Sequence, residues 1–282
     1  MTGTGTQTDP YIVSEYAEFI TAITTSDVYV KCADNTVWDM NEIDPTGEKY
    51  HNSNKSFNCT ELDGNGAIIN NLYSTISGGN TLFLVDNAVI KNLKFYNMNL
   101  TNGAAFFKVS SYYAQVSNCQ FTGLLGEHAV LFWSSGSQYN PISVSESLIS
   151  VELYGASKIV NGVYSFDNNL IEVSFISDNY TYSQVSFRYL QSCWFKGIFP
   201  FGRLTSGVNV SSSGGNYNVI DAEIRSEQLS LSLNGTYVIN TDKYNYDLPL
   251  TTYNNAILAT EEQMRDPAYL RSKGFPVPNS KG

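Results

Sequence analysis

Two histidines, His51 and His128, and four cysteines, Cys32, Cys59, Cys119 and Cys193, are the side chains best suited to hold a soft metal or to serve as base and nucleophile. Their spacing supports neither use. There is no Cys-x-x-Cys pair and neither histidine lies beside a nucleophile motif, so the cysteines read as reduced, small apolar core residues. A disulfide stays open, because spacing alone cannot assign one. Carboxylates are the other chemical resource. A glycosidase needs two of them flanking the scissile bond, and a lyase needs a base such as Lys or Arg, often beside Ca²⁺. Asp178, Asp221, Glu223, Glu227 and Asp242 form no paired motif, and Arg188, Arg203 and Arg225 stand isolated. Glu146 and Glu172 make the best pair available, as equivalent corners one repeat apart, although solvated corner residues would look the same. Asp63-Gly64-Asn65-Gly66 lacks the following Glu and the preceding acid of a Ca²⁺ loop, and Gly78-Gly79 reads as a turn rather than a phosphate cradle. The expectation is no catalytic residue, no metal ligand and no cofactor.

Binding is the chemistry that survives. Twenty tyrosines are present, several in polar loops. Trp133, Tyr139, Tyr180, Tyr182, Tyr244 and Tyr246 are the candidate contacts, since such rings stack on sugar faces or anchor interfaces while keeping a polar tip in water. Tyrosines lying on outer walls or between subunits are the structural alternative.

The charge balance narrows the partners. Sixteen Lys plus Arg against 26 Asp plus Glu give a net charge of −10 with no basic run, so neither nucleic acid nor an anionic membrane surface is expected. Only 15% of residues are charged, and polarity comes from Asn, Ser, Thr, Gly and Tyr, which suits an extracellular or virion surface. No run reaches the roughly 18 apolar residues of a membrane span, and the start MTGTGTQTDPYIV carries no basic or apolar signal region. A soluble chain without membrane insertion is expected.

The elements that would position these residues are mainly strands. Tyr16, Phe19, Ile20 and Ile23 recur at helical spacing behind Ser14, which predicts a short amphipathic helix with Ser14 as its cap. From residue 66 onward, short alternating runs are punctuated by Gly, Asn and Ser clusters. One polar-apolar-x-apolar phrase recurs, starting at Asn92, Asn118, Glu146, Glu172, Ser192 and Asp221, in steps of 26, 28, 26, 20 and 29 residues. An earlier copy begins at Asn71. Such a period predicts a parallel β-helix, in which each coil stacks on the last. Leu93, Cys119, Ser147, Val173, Cys193 and Ala222 then form one interior column, and Phe95, Phe121, Ile149, Phe175, Phe195 and Ile224 a bulkier one. The polar residue opening each phrase belongs at a corner, where Asn tolerates left-handed geometry. A β-sandwich is the competing all-β fold. The predicted organisation is an N-terminal segment with a capping helix over 1–30, the β-helix over 31–250 and a tail over 251–282. In that tail a Thr260 to Gln263 capping box, Asp266-Pro267 and Gly274 mark short helical turns.

The segment FNCTELDGNGAIINNL, residues 57–72, resembles the opening rung, F-x-G-x-x-D-G-N-G-x-x-I-x-N-L, of right-handed β-helix proteins of phage appendages and bacterial surface adhesins. VYVKCADNTVWDMNEI is similar to the strand and loop that lead into that rung, and TEEQMRDPAYLRSKGF to the tail that closes such modules. Cys59 departs from the pattern's Gly. The resemblance implies an all-β, right-handed, single-stranded parallel β-helix serving as a non-enzymatic phage virion structural protein. Its place would be a tail appendage or fibre, or a head fibre or decoration, acting in host attachment or assembly. It also implies a homotrimer, partnership with other virion proteins and with host surface glycan, and a virion location after assembly in the host cytoplasm. The alternatives are an adhesin module of the bacterial cell surface and a surface-polysaccharide depolymerase.

Overall fold

The computed structural model describes residues 1–51, 54–74, 81–101, 103–110, 112–134, 142–155, 157–161, 164–175, 189–200, 217–225, 236–243 and 256–274. Among them, parallel strands form three sheets of eight, eleven and five strands. The chain visits the sheets in turn. Val89–Lys91 joins the eight-stranded sheet, Lys94–Leu100 the eleven-stranded one and Ala105–Val109 the five-stranded one, before Ala114–Ser117 returns to the first. The fold is therefore a parallel β-helix, as the repeat predicts.

Alternation explains why the coil closes. Every second residue points inward and stacks on its counterpart in the next turn, about 4.8 Å away. Register in the eleven-stranded sheet runs Trp38, Ile69, Phe95, Phe121, Ile149, Ile171 and Phe195. All seven are buried. Rings from another wall complete the bore: Phe121 lies 5.4 Å from Phe95 in its own column and 5.3 Å from Phe132 on the five-stranded sheet.

The corner that opens each phrase is left-handed. Asn92, Asn118, Glu146, Asn168 and Ser192 have φ between 50° and 57°. Two asparagine ladders run up the outside of the coil. At the first, Asn118 Nδ2 donates to Asn92 Oδ1 at 2.6 Å, and Asn92 Nδ2 donates to Asp63 Oδ1 at 2.8 Å. At the second, Asn97 Nδ2 donates to Asn71 Oδ1 at 2.6 Å, and Asn71 Nδ2 to Asp39 Oδ1 at 2.8 Å. A carboxylate accepts only, so the terminal aspartates fix the orientation of every amide above them. Inside the first corner, small polar side chains meet the backbone groups that the bend leaves over. Cys119 N donates to Ser147 Oγ at 3.1 Å and Ser147 N to Asn169 Oδ1 at 2.9 Å.

Register corrects four sequence expectations. Asn169, not Val173, continues the column of Leu93, Cys119 and Ser147, and Ile171, not Phe175, continues the column of Phe95. Phe195 pairs with Ile220 rather than Ile224, while Ala222 pairs with Gly197. Asn71 belongs to the Asn97 ladder, not to that of Asn92. Glu146 and Glu172 are not equivalent: Glu146 sits at the corner, whereas Glu172 pairs with Ser150 and Lys196 in mid-strand. Three of the four share a cause: a shift of four residues leaves alternation of period two unchanged, so alternation cannot fix register alone. Asn71 instead matches a second left-handed corner at Asn97, five residues beyond Asn92.

The two ends differ. Helix α1, Tyr16–Thr24, buries Tyr16, Phe19, Ala22 and Ile23 over the bore, with Phe19 5.0 Å from the ring of Trp38. Its cap is Glu15 rather than Ser14, because the Glu18 carboxylate reaches back to the N–H groups of Ser14 and Glu15 at 3.3 and 3.5 Å. Helix α2, Met40–Ile43, is a single turn capped by Asp39. Helix α3, Glu261–Arg265, has the Thr260–Gln263 capping box, and α4, Pro267–Ser272, is capped by Asp266. Met264 and Leu270 cluster with Ala259 against Trp194 and Ile257, which face outward from the long sheet. The tail helices thus cover part of a wall, while Leu258, inward by register, is 42% exposed.

Candidate functional site

A groove of about 660 Å³ crosses the outer face of the eleven-stranded sheet. Five strands contribute: Lys94–Leu100, Gln120–Leu125, Leu148–Leu153, Leu170–Phe175 and Trp194–Pro200. Its walls are two outward rows that register places side by side. Thr122, Ser150, Glu172 and Lys196 form one, and Leu124, Glu152 and Ser174 the other. Between them lies the inward column of Gly123, Val151, Val173 and Gly197. Small residues there matter locally. Gly123 has φ 141°, and a Cβ on it would stand 2.1 Å from Met98 O; at Gly197, φ 95°, one would stand 2.0 Å from Val173 O. A side chain at either position would push adjacent turns apart. The register shift between Phe95 and Met98 places Asn97 at the rim.

The register fixes the electrostatics of the groove. Glu152 and Glu172 lie on neighbouring strands two residues out of step, which sets their Cα atoms about 8 Å apart on the diagonal. Glu152 is exposed and Glu172 half-buried. Lys196 closes the far end, its Nζ 5.6 Å from the Trp194 ring centroid. Beyond it, Asp221 accepts from Lys243 Nζ at 2.6 Å and from Asn240 Nδ2 at 2.8 Å. Burial alone would raise the Asp221 carboxyl, but those two hydrogen bonds and the charges of Lys243 and Lys196 hold it below its ordinary value.

Of the aromatic candidates, Trp133 is half-buried on the five-stranded sheet, away from the groove, and Lys108 Nζ lies 4.5 Å from its ring centroid. One ring face is therefore already occupied. Tyr139, Tyr180, Tyr182, Tyr244 and Tyr246 lie outside the described residues. Sequence reasoning missed Tyr112 and Tyr113, which are 57% and 40% exposed beside a loop anchored by Asp86, whose Oδ1 accepts the Ser110 N–H at 2.9 Å. It also missed the Glu152–Glu172 diagonal, which no motif spacing encodes.

Neither the histidines nor the cysteines line the groove. None of the four cysteines forms a disulfide and all are buried, and burial pushes the thiols of Cys32, Cys59 and Cys119 up to about 12. His51 is buried and stacked 3.7 Å from Tyr73, with its Nε2 3.9 Å from Asp44 Oδ2. Burial would raise Asp44; backbone N–H bonds from Tyr50 and Lys49, with His51 beside it, hold its carboxyl below the usual range. His128 is at the surface, 3.3 Å from Glu127. Among the described residues, no three His, Cys, Asp or Glu side chains gather as a metal site. Comparison with protein-family profiles, curated proteins and solved structures finds no match for this chain.

Proposed function

We propose that this chain is a non-enzymatic attachment protein of a phage virion that holds a host surface glycan in the groove of its long sheet. The groove is the observation that carries the reading. It crosses five strands, which at the inter-strand spacing is about 19 Å of continuous binding surface. A 1,4-linked pyranose advances by a distance close to one strand spacing, so successive sugars would meet successive turns. Hydroxyl and amide side chains, Asn97, Thr122, Ser150 and Ser174, suit sugar hydroxyls, and Leu124 suits their C–H faces. Assembly as a homotrimer with other virion proteins extends the same proposal and rests on the resemblance of residues 57–72.

A depolymerase is the second reading, favoured by the diagonal of Glu152 and Glu172, since a Cα separation of about 8 Å is within side-chain reach of the roughly 6.5–9.5 Å carboxyl spacing of inverting glycosidases. Glu152 is exposed and Glu172 only half-buried, which weighs against it, because such an acid–base pair works in a site closed to water. One experiment serves both readings: titrate the protein with purified host capsule or lipopolysaccharide glycans, then analyse the glycan for new reducing or unsaturated ends. Binding without cleavage is the expected result. Cleavage supports the depolymerase, and absence of binding to every host glycan refutes glycan attachment.

A further inference from the structure

Building on the glycan reading, we propose that the groove selects saccharides bearing a protonated amine, seated between Glu152 and Glu172. These side chains come from opposite rows, so their diagonal spans the groove rather than lying along one wall. Among the described residues no cation forms an ion pair with either of them, although Lys196 is the register neighbour of Glu172 on the next turn. Among the described residues Lys196 is the only cation lining the groove; it lies at one end, beside the Trp194 ring and between Glu172 and Asp221 in its row, where its charge adds to that of Lys243 in lowering the Asp221 carboxyl. The centre of the groove is therefore negative over Val151 and Val173, with neutral Thr122 and Ser150 on one side and a positive end on the other. An amino sugar in the central position meets both carboxylates with its ammonium. Neutral sugars suit the turns nearer Asn97, and Lys196 repels a second amine, so the amine is placed at one turn of the coil.

The test is calorimetric titration of the full chain at about pH 6, where an amine is protonated, with a glucosamine tetramer and with its N-acetylated counterpart. The amine form is expected to bind about tenfold more tightly, as two partly exposed charge contacts allow. Added salt should shrink that advantage. The E152Q/E172Q double variant should lose it while still binding the acetylated tetramer, with circular dichroism confirming that it folds. Equal affinity for both sugars, or a preference that survives in the double variant, overturns amine selection. Binding of neutral glycans alone also overturns it and leaves glycan attachment standing, whereas absence of binding to any glycan, host capsule included, overturns both.

Discussion

Replacing Asn92 by Asp changes the chemistry of one amide and little of its shape, and it tests the direction of the asparagine ladder. Asn92 donates to Asp63 at 2.8 Å and accepts from Asn118 at 2.6 Å. A carboxylate at this position keeps the acceptor and removes the donor. It also places a second negative charge against Asp63, with both groups half-buried. The repulsion at such a distance is between about 1 and 4 kcal/mol, depending on how far solvent screens it. Loss of a hydrogen bond to a charged acceptor adds about 1 kcal/mol at a half-exposed site. Asn92→Asp should therefore cost about 2–4 kcal/mol at neutral pH. The introduced carboxyl has a raised folded-state pKa, so the cost should shrink as the pH falls through about 4 and the pair shares a proton. Asn118→Asp is the comparison: it faces a neutral amide below and the exposed, solvent-screened Glu146 above, so it should cost about 1 kcal/mol with a weaker pH dependence than Asn92→Asp. Urea unfolding of the three proteins at neutral and acidic pH measures both quantities. Equal, pH-independent costs for the two variants refute the assigned ladder polarity.

Phe121→Ala should cost about 3–5 kcal/mol in the same assay, because the ring is buried between Phe95 and Phe132 and neighbouring turns cannot collapse into the gap. Asp44, whose folded-state pKa is lowered, contributes stability that is present above the unfolded-state value of about 3.9 and lost as the pH falls through the folded one. Asp44→Asn should flatten that acid limb of the stability curve, and an unchanged limb counts against the Tyr50 and Lys49 contacts as its cause.

The parallel β-helix and its first three aligned rungs were legible because Asn92-Leu93-Lys94-Phe95 repeats with the same chemistry at Asn118 and, in its bulky apolar place, at Ile149. Reading failed at the fourth rung. There the inward corner residue is the polar Asn169, which supplies a hydrogen bond to Ser147, and the phrase beginning at Glu172 imitates the pattern four residues later. Tertiary demand for an acceptor overrode apolar patterning. The groove was illegible for a related reason: Glu152 and Glu172 become neighbours only once register is known. The cap of α1 was misplaced by one residue because Glu18 reaches backbone groups that Ser14 was expected to serve.

The corners Asn92, Asn118, Glu146, Asn168 and Ser192 stand one above another, yet 26, 28, 22 and 24 residues separate them along the chain. Contour length and vertical position are thus uncoupled. An insertion in a loop between strands adds chain without displacing the turns above it, and its entropic cost grows only with the logarithm of loop length. Such a coil can accumulate variation at one level while every other level keeps its address, so loops can diversify under selection without renegotiating the wall that carries the groove.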